Sequence, residues 1–177
     1  MSRRRPPSLR LDHLGLDPGS LVGRVLKSAR RSEKHPSITL AFDDGTRVNV
    51  MVDGYSPAYP GVPKELEMSQ SLAELFAANN STVDLKVTDC ALIELSDKAF
   101  ATERNDQWDQ RHLGIAFKFA SPGQDDVATE PWHCVWATLV DRDEHGECIF
   151  RTYDDVYLEE LQRSPRKPRH RKISNGS

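Results

Sequence analysis

The residues best suited to chemistry in this 177-residue chain are three cysteines and six histidines, of which His133, Cys134, His145 and Cys148 lie close together. Their types suit zinc, but a tetrahedral site needs four converging donors. His133 and Cys134 are adjacent on a segment that reads as a strand, so they point to opposite faces. A turn centred near Asp143–Glu144 would put Cys134 opposite about residue 153 and Cys148 opposite about residue 139, parting the thiols along the hairpin. The spacing therefore predicts buried free thiols and no metal site. Asp141-x-Asp143-x-x-Gly146 opens like a calcium loop, but its twelfth position is Thr152, so the bidentate carboxylate is missing. A Cys–His nucleophilic pair would have to meet in space, and the spacing selects none. Gly-rich phosphate loops, Gly-x-Ser-x-Gly and His-Glu-x-x-His are absent. No catalytic residue is assigned, no cofactor is expected, and the reading leans away from an enzyme.

Charge is more informative. The formal net charge of −3 hides a partition. Residues 1–34 carry nine Lys/Arg against three Asp/Glu, and residues 35–162 carry nine against 24. Residues 163–177 carry six against none. The three parts stand at +6, −15 and +6. Arg163, Arg166, Lys167, Arg169, Arg171 and Lys172 surround Pro165 and Pro168, and proline with dense like charge opposes helix and strand alike. The expectation is a disordered basic tail that serves nuclear import or touches phosphate backbone weakly, with steep salt dependence. Ser164-Pro165-x-Lys167 resembles a proline-directed phosphorylation site, where a phosphate would cancel about two positive charges. The acidic body suits a protein partner with a basic surface. The tails folding back on that body would compete with outside phosphate.

These residues need a scaffold. Asp17-Pro18 is a helix-start signal, and Leu21, Val22, Val25, Leu26 and Ala29 follow at helical spacing, with a strand as the alternative. Ile38–Val52 reads as a hairpin. A two-residue turn would mix polar and apolar faces. A three-residue Asp43-Asp44-Gly45 loop puts Leu40 opposite Val48 and Ile38 opposite Val50, with Gly45 at positive φ. Tyr55 and Tyr59 sit in a Pro-rich loop that either meets a partner or covers the core. Ser71-Leu-Ala-Glu74 reads as a capping box. Alternation from Val83 to Leu95 predicts a long central strand. Residues 97–111 read as a polar, irregular helix, and Leu113–Phe119 as a strand. Trp132–Val140 with Cys148–Tyr153 form a second hairpin, and Thr152–Asp155 either cap a last helix or continue the strand to Leu158.

The fold expected is α+β: a curved antiparallel sheet of about six strands packed against two or three helices. It comprises a basic N-terminal segment (1–16), one domain (17–162) and the basic tail (163–177). An odd cysteine count and an N-terminus without an apolar stretch predict an intracellular protein, the nucleus before the cytoplasm. No membrane partner is expected. The function expected is a non-enzymatic protein-interaction module in a nuclear or nucleic-acid-associated complex, with a homodimer as a further arrangement. The alternative is a small cone-shaped enzyme or ligand-binding protein with a pocket between sheet and helix.

Overall fold

Side-chain alternation sets the first piece of the sheet. The computed structural model describes residues 15–58, 64–76, 82–120 and 131–161. Within it, β2 (Ile38–Phe42) and β3 (Arg47–Val52) pair with Leu40 opposite Val48 and Ile38 opposite Val50, which gathers Ile38, Leu40, Phe42, Val48, Val50 and Val52 on one buried face. Thr39 and Asn49 fall on the other face, joined by a 2.7 Å hydrogen bond. Gly45 closes the loop at φ +82°. A β-branched residue there is strained, so Gly45→Val should cost about 1–3 kcal/mol in a urea unfolding titration.

β1 (Val25–Arg31) lies where helical spacing was expected. The Asp17 cap works, its Oδ1 accepting from Gly19 N at 3.0 Å, but it starts only a 3-10 turn over Pro18–Leu21. Gly23, at φ +90°, then turns the chain and donates its amide to the Val87 carbonyl at 2.8 Å. Beyond it the chain is extended and pairs with β2 on one side and β5 (Thr82–Ala101) on the other.

β5 runs far past Leu95. It pairs along its length with β6 (Asp106–Ala120), so residues 97–111 form the end of a hairpin rather than a helix. The connection is a 3-10 turn at Thr102–Arg104, closed by Asn105 at φ +48°, a conformation Asn tolerates. Polar side chains suit this arm because they pair across it: Lys98 lies 2.6 Å from Asp109 and Arg111 3.2 Å from Glu94.

β4 (Lys64–Met68) leads into the one α-helix among the described residues, α1 (Gln70–Phe76). β4 pairs with β7 (His133–Arg142), which also pairs with β6 and β8 (Cys148–Asp154). After Asp155 the chain continues as β9 (Val156–Glu160), not as a helix, and pairs with β3. Asp155 keeps the ladder running, its carbonyl accepting from Asp53 N at 2.8 Å. The ladders run in the order β4–β7–β6–β5–β1–β2–β3–β9, and β8 pairs with both β5 and β7.

The protein is a single α+β domain with an antiparallel sheet packed on helical turns. Among the described residues the sheet has nine strands rather than about six, because β1, β4 and the second half of the last strand are extended. Leu26, Leu40, Val50, Ile115, Val135, Val156 and Leu158 fill the interior, and α1 adds Leu72. Each such buried side chain contributes roughly 1.5–3 kcal/mol.

Candidate functional site

Among the described residues the cysteines and histidines do not converge. His133 is buried and Cys134, on the opposite face of β7, is half-buried. His145 stands out in the β7–β8 turn, and the Cys148 thiol donates to the Phe150 carbonyl at 3.3 Å. Cys148 faces Arg142 and Tyr153 faces Thr138, a register shifted from the expected one by a longer turn and an irregularity at Asp141/Arg142. Among the described residues no group of three or more His, Cys, Asp or Glu is placed to hold a metal. The calcium-like sequence is a turn: Asp143 Oδ1 accepts from the amides of His145 and Glu147, each at 2.9 Å. Cys90 points into the core, and burial, aided by the Asp89 and Asp17 carboxylates, pushes its thiol up to about 12.

The capping residue of α1 is Ser69, not Ser71. Its carbonyl accepts from Leu72 N and Ala73 N at 3.0 Å, and Glu74 meets Gln70 one turn back. That leaves the Ser71 hydroxyl 2.8 Å from His133 Nδ1. Burial holds His133 below the usual imidazole value of 6.5. The folded state thus favours neutral His133, so its contribution is present above pH 6.5 and is lost as pH falls through the lower folded value. Acid titration of stability should show this loss in the wild type, and His133→Gln should flatten it.

The remaining buried polar groups bind strands to one another. Arg151 on β8 reaches Glu67 on β4 at 2.9 Å. Glu67 also accepts from Trp136 Nε1 and Thr138 Oγ1 on β7, each at 3.2 Å. Lys64 lies 3.0 Å from Asp154. His112 Nε2 meets Asp97 at 2.6 Å, its ring stacked on Tyr153 with centroids 4.5 Å apart. Gln110 exchanges two hydrogen bonds with the Tyr153 backbone, and Asp155 accepts from Leu113 N at 2.8 Å. These side chains are engaged in structure.

Surface charge is distributed unevenly. Residues 131–161 hold eight carboxylates against Arg142 and Arg151, and Arg151 is bound to Glu67. Asp141, Glu144, Glu147, Glu159 and Glu160 are exposed. The cations counted within residues 1–34 are not all in a tail: Arg24, Lys27, Arg30, Arg31 and Lys34 belong to β1 and its flanking turns. That strand stands three strand spacings from β9, about 14 Å.

Arg163, Arg166, Lys167, Arg169, Arg171, Lys172, Ser164 and Tyr59 lie outside the described residues. Tyr55 packs against the core and places its hydroxyl 2.7 Å from His35 Nδ1. The acid-rich last strands carry no motif and were visible only as a count. Among the described residues no helix is long and apolar enough to cross a membrane. Comparison with protein-family models, curated proteins and solved structures finds no match to the chain.

Proposed function

We propose that this protein is a non-enzymatic interaction module whose acidic segment from β7 to β9 docks a protein with a basic surface. The observation carrying this reading is the set of exposed carboxylates on β7 (Asp141), in the β7–β8 turn (Glu144, Glu147) and on β9 (Glu159, Glu160), in a segment, residues 131–161, whose cations are Arg142 and Arg151 alone. Unbalanced charge of one sign steers an oppositely charged partner and repels nucleic acid. The six cations of 163–177 follow directly after the exposed Glu159 and Glu160. In this reading they are a tethered competitor for the acidic surface, and they serve nuclear targeting or phosphate contact when the partner displaces them. Phosphorylation at Ser164 would weaken their hold on the body and free the surface. Membership of a nuclear or nucleic-acid-associated complex follows from the same tail.

Affinity capture from native lysate, with the full chain as bait, tests the reading. The wild type should recover basic proteins that a chain with Asp141→Asn, Glu144→Gln, Glu147→Gln, Glu159→Gln and Glu160→Gln does not. Identical recoveries from both baits would refute it.

A further inference from the structure

The chain carries a second surface of opposite character. The turn between β1 and β2 folds over a recess of about 370 Å³ lined by Arg30, Ser32, Glu33, Lys34, His35, Ser37 and Thr39. Every residue lining it is polar or charged.

The cations of β1 divide into two groups. Arg24 is 4.0 Å from Asp44, Lys27 is 2.8 Å from Asp84, and Arg31 donates to the Leu66 carbonyl at 2.5 Å. Arg30 and Lys34, the two that line the recess, form no ion pair among the described residues. With Glu33 on the wall, the lining keeps one net positive charge.

The framework is held in place from below. Ser32 Oγ accepts from the amides of Lys34 and His35, at 3.3 and 3.1 Å, which shapes the turn and leaves its hydroxyl proton free to donate. The Ser32 amide donates to the Ser37 carbonyl at 3.0 Å and closes the loop. Tyr55 Oη holds His35 through Nδ1, leaving Nε2 as the second ring nitrogen. Arg30 stands opposite Thr39 in the ladder.

We infer that this recess binds a small molecule bearing a phosphomonoester. Arg30 and Lys34 supply charge-assisted donors to the phosphate oxygens, and Ser32 and Ser37 supply neutral ones. A volume of this size takes a phosphate together with a small polar body. This inference is independent of the acidic docking surface, which lies on other strands.

The test is an amide-resolved NMR titration of the full chain with orthophosphate, ribose 5-phosphate and a duplex oligonucleotide in chloride buffer. Ribose 5-phosphate should shift the amides of residues 30–39 saturably. Arg30→Gln and Lys34→Gln should each weaken that binding about tenfold, as loss of a charged hydrogen bond does. Both changes are at exposed positions, so folding is preserved. Glu33→Gln should tighten binding, and Lys98→Gln, on the distant β5–β6 arm, should leave it unchanged. Non-saturating shifts, shifts confined to residues outside 30–39, or indifference to Arg30→Gln would overturn the inference. Saturation of these amides by the duplex but not by ribose 5-phosphate would overturn it equally. Orthophosphate binding more weakly than ribose 5-phosphate supports a ligand with an organic body, and equal binding would remove the body from the proposal.

Discussion

Lys64→Met is expected to lower the unfolding free energy by about 3–5 kcal/mol, the cost of breaking a buried ion pair by removing one of its partners. Lys64 Nζ lies 3.0 Å from Asp154 Oδ2, with side chains only 11% and 12% exposed. The methionine keeps most of the stem's packing but removes the Lys64 charge from beside the Asp154 carboxylate in a poorly solvated place. The pair ties β4, whose backbone ladder among the described residues is with β7 alone, to β8, so its loss also loosens an edge of the sheet. Lys98→Met is the internal control. Its partner Asp109 is closer, at 2.6 Å, yet the two side chains are 71% and 82% exposed. Solvent screening reduces that pair to about 1 kcal/mol or less. Burial, not distance, decides which substitution matters. Urea titrations of the two variants should separate their midpoints widely with similar slopes, and equal midpoints would show that the Lys64–Asp154 pair is solvated.

The second large effect concerns the basic tail. Duplex DNA binding by the full chain should be weak and steeply salt-dependent, since affinity from lysines and arginines comes from released counterions. Six phosphate contacts imply a slope of about −5 in log K against log salt and a loss of about a thousandfold between 50 and 200 mM. Replacing Arg163, Arg166, Lys167, Arg169, Arg171 and Lys172 by glutamine should remove both most of the affinity and most of the slope. The acidic body gives no substitute for them. Equal binding by the two proteins at low salt would discard the tail contact.

Much of the sheet was legible because burial on one face makes register all-or-none. The β2–β3 hairpin follows from the positions of Ile38, Leu40, Val48 and Val50 alone. β1 was misread because Leu21, Val22, Val25, Leu26 and Ala29 satisfy a helical period locally. Only the pairing of the strand with β2 and β5, after the turn at Gly23, makes it extended. Tertiary pairing overrides so short a pattern. Residues 97–111 concealed a hairpin because their polar side chains have no apolar face to alternate; the ion pairs that justify them connect residues on different strands. The Ser71–Glu74 spacing was correct for a capping box, but Ser69 competes for the cap and His133 takes the Ser71 hydroxyl. Net acidity of the body was readable as a count. Its concentration between β7 and β9, and the separate recess where Arg30 and Lys34 form no ion pair among the described residues, depend on which charges meet across the fold.

Titration of the full chain with a short labelled polylysine peptide, repeated across a salt series, tests the acidic docking surface most directly. Binding should saturate, weaken as salt rises, fall at least tenfold when Asp141, Glu144, Glu147, Glu159 and Glu160 are neutralised, and strengthen when the six tail cations are replaced by glutamine. Unaltered affinity in the carboxylate variant would contradict the account.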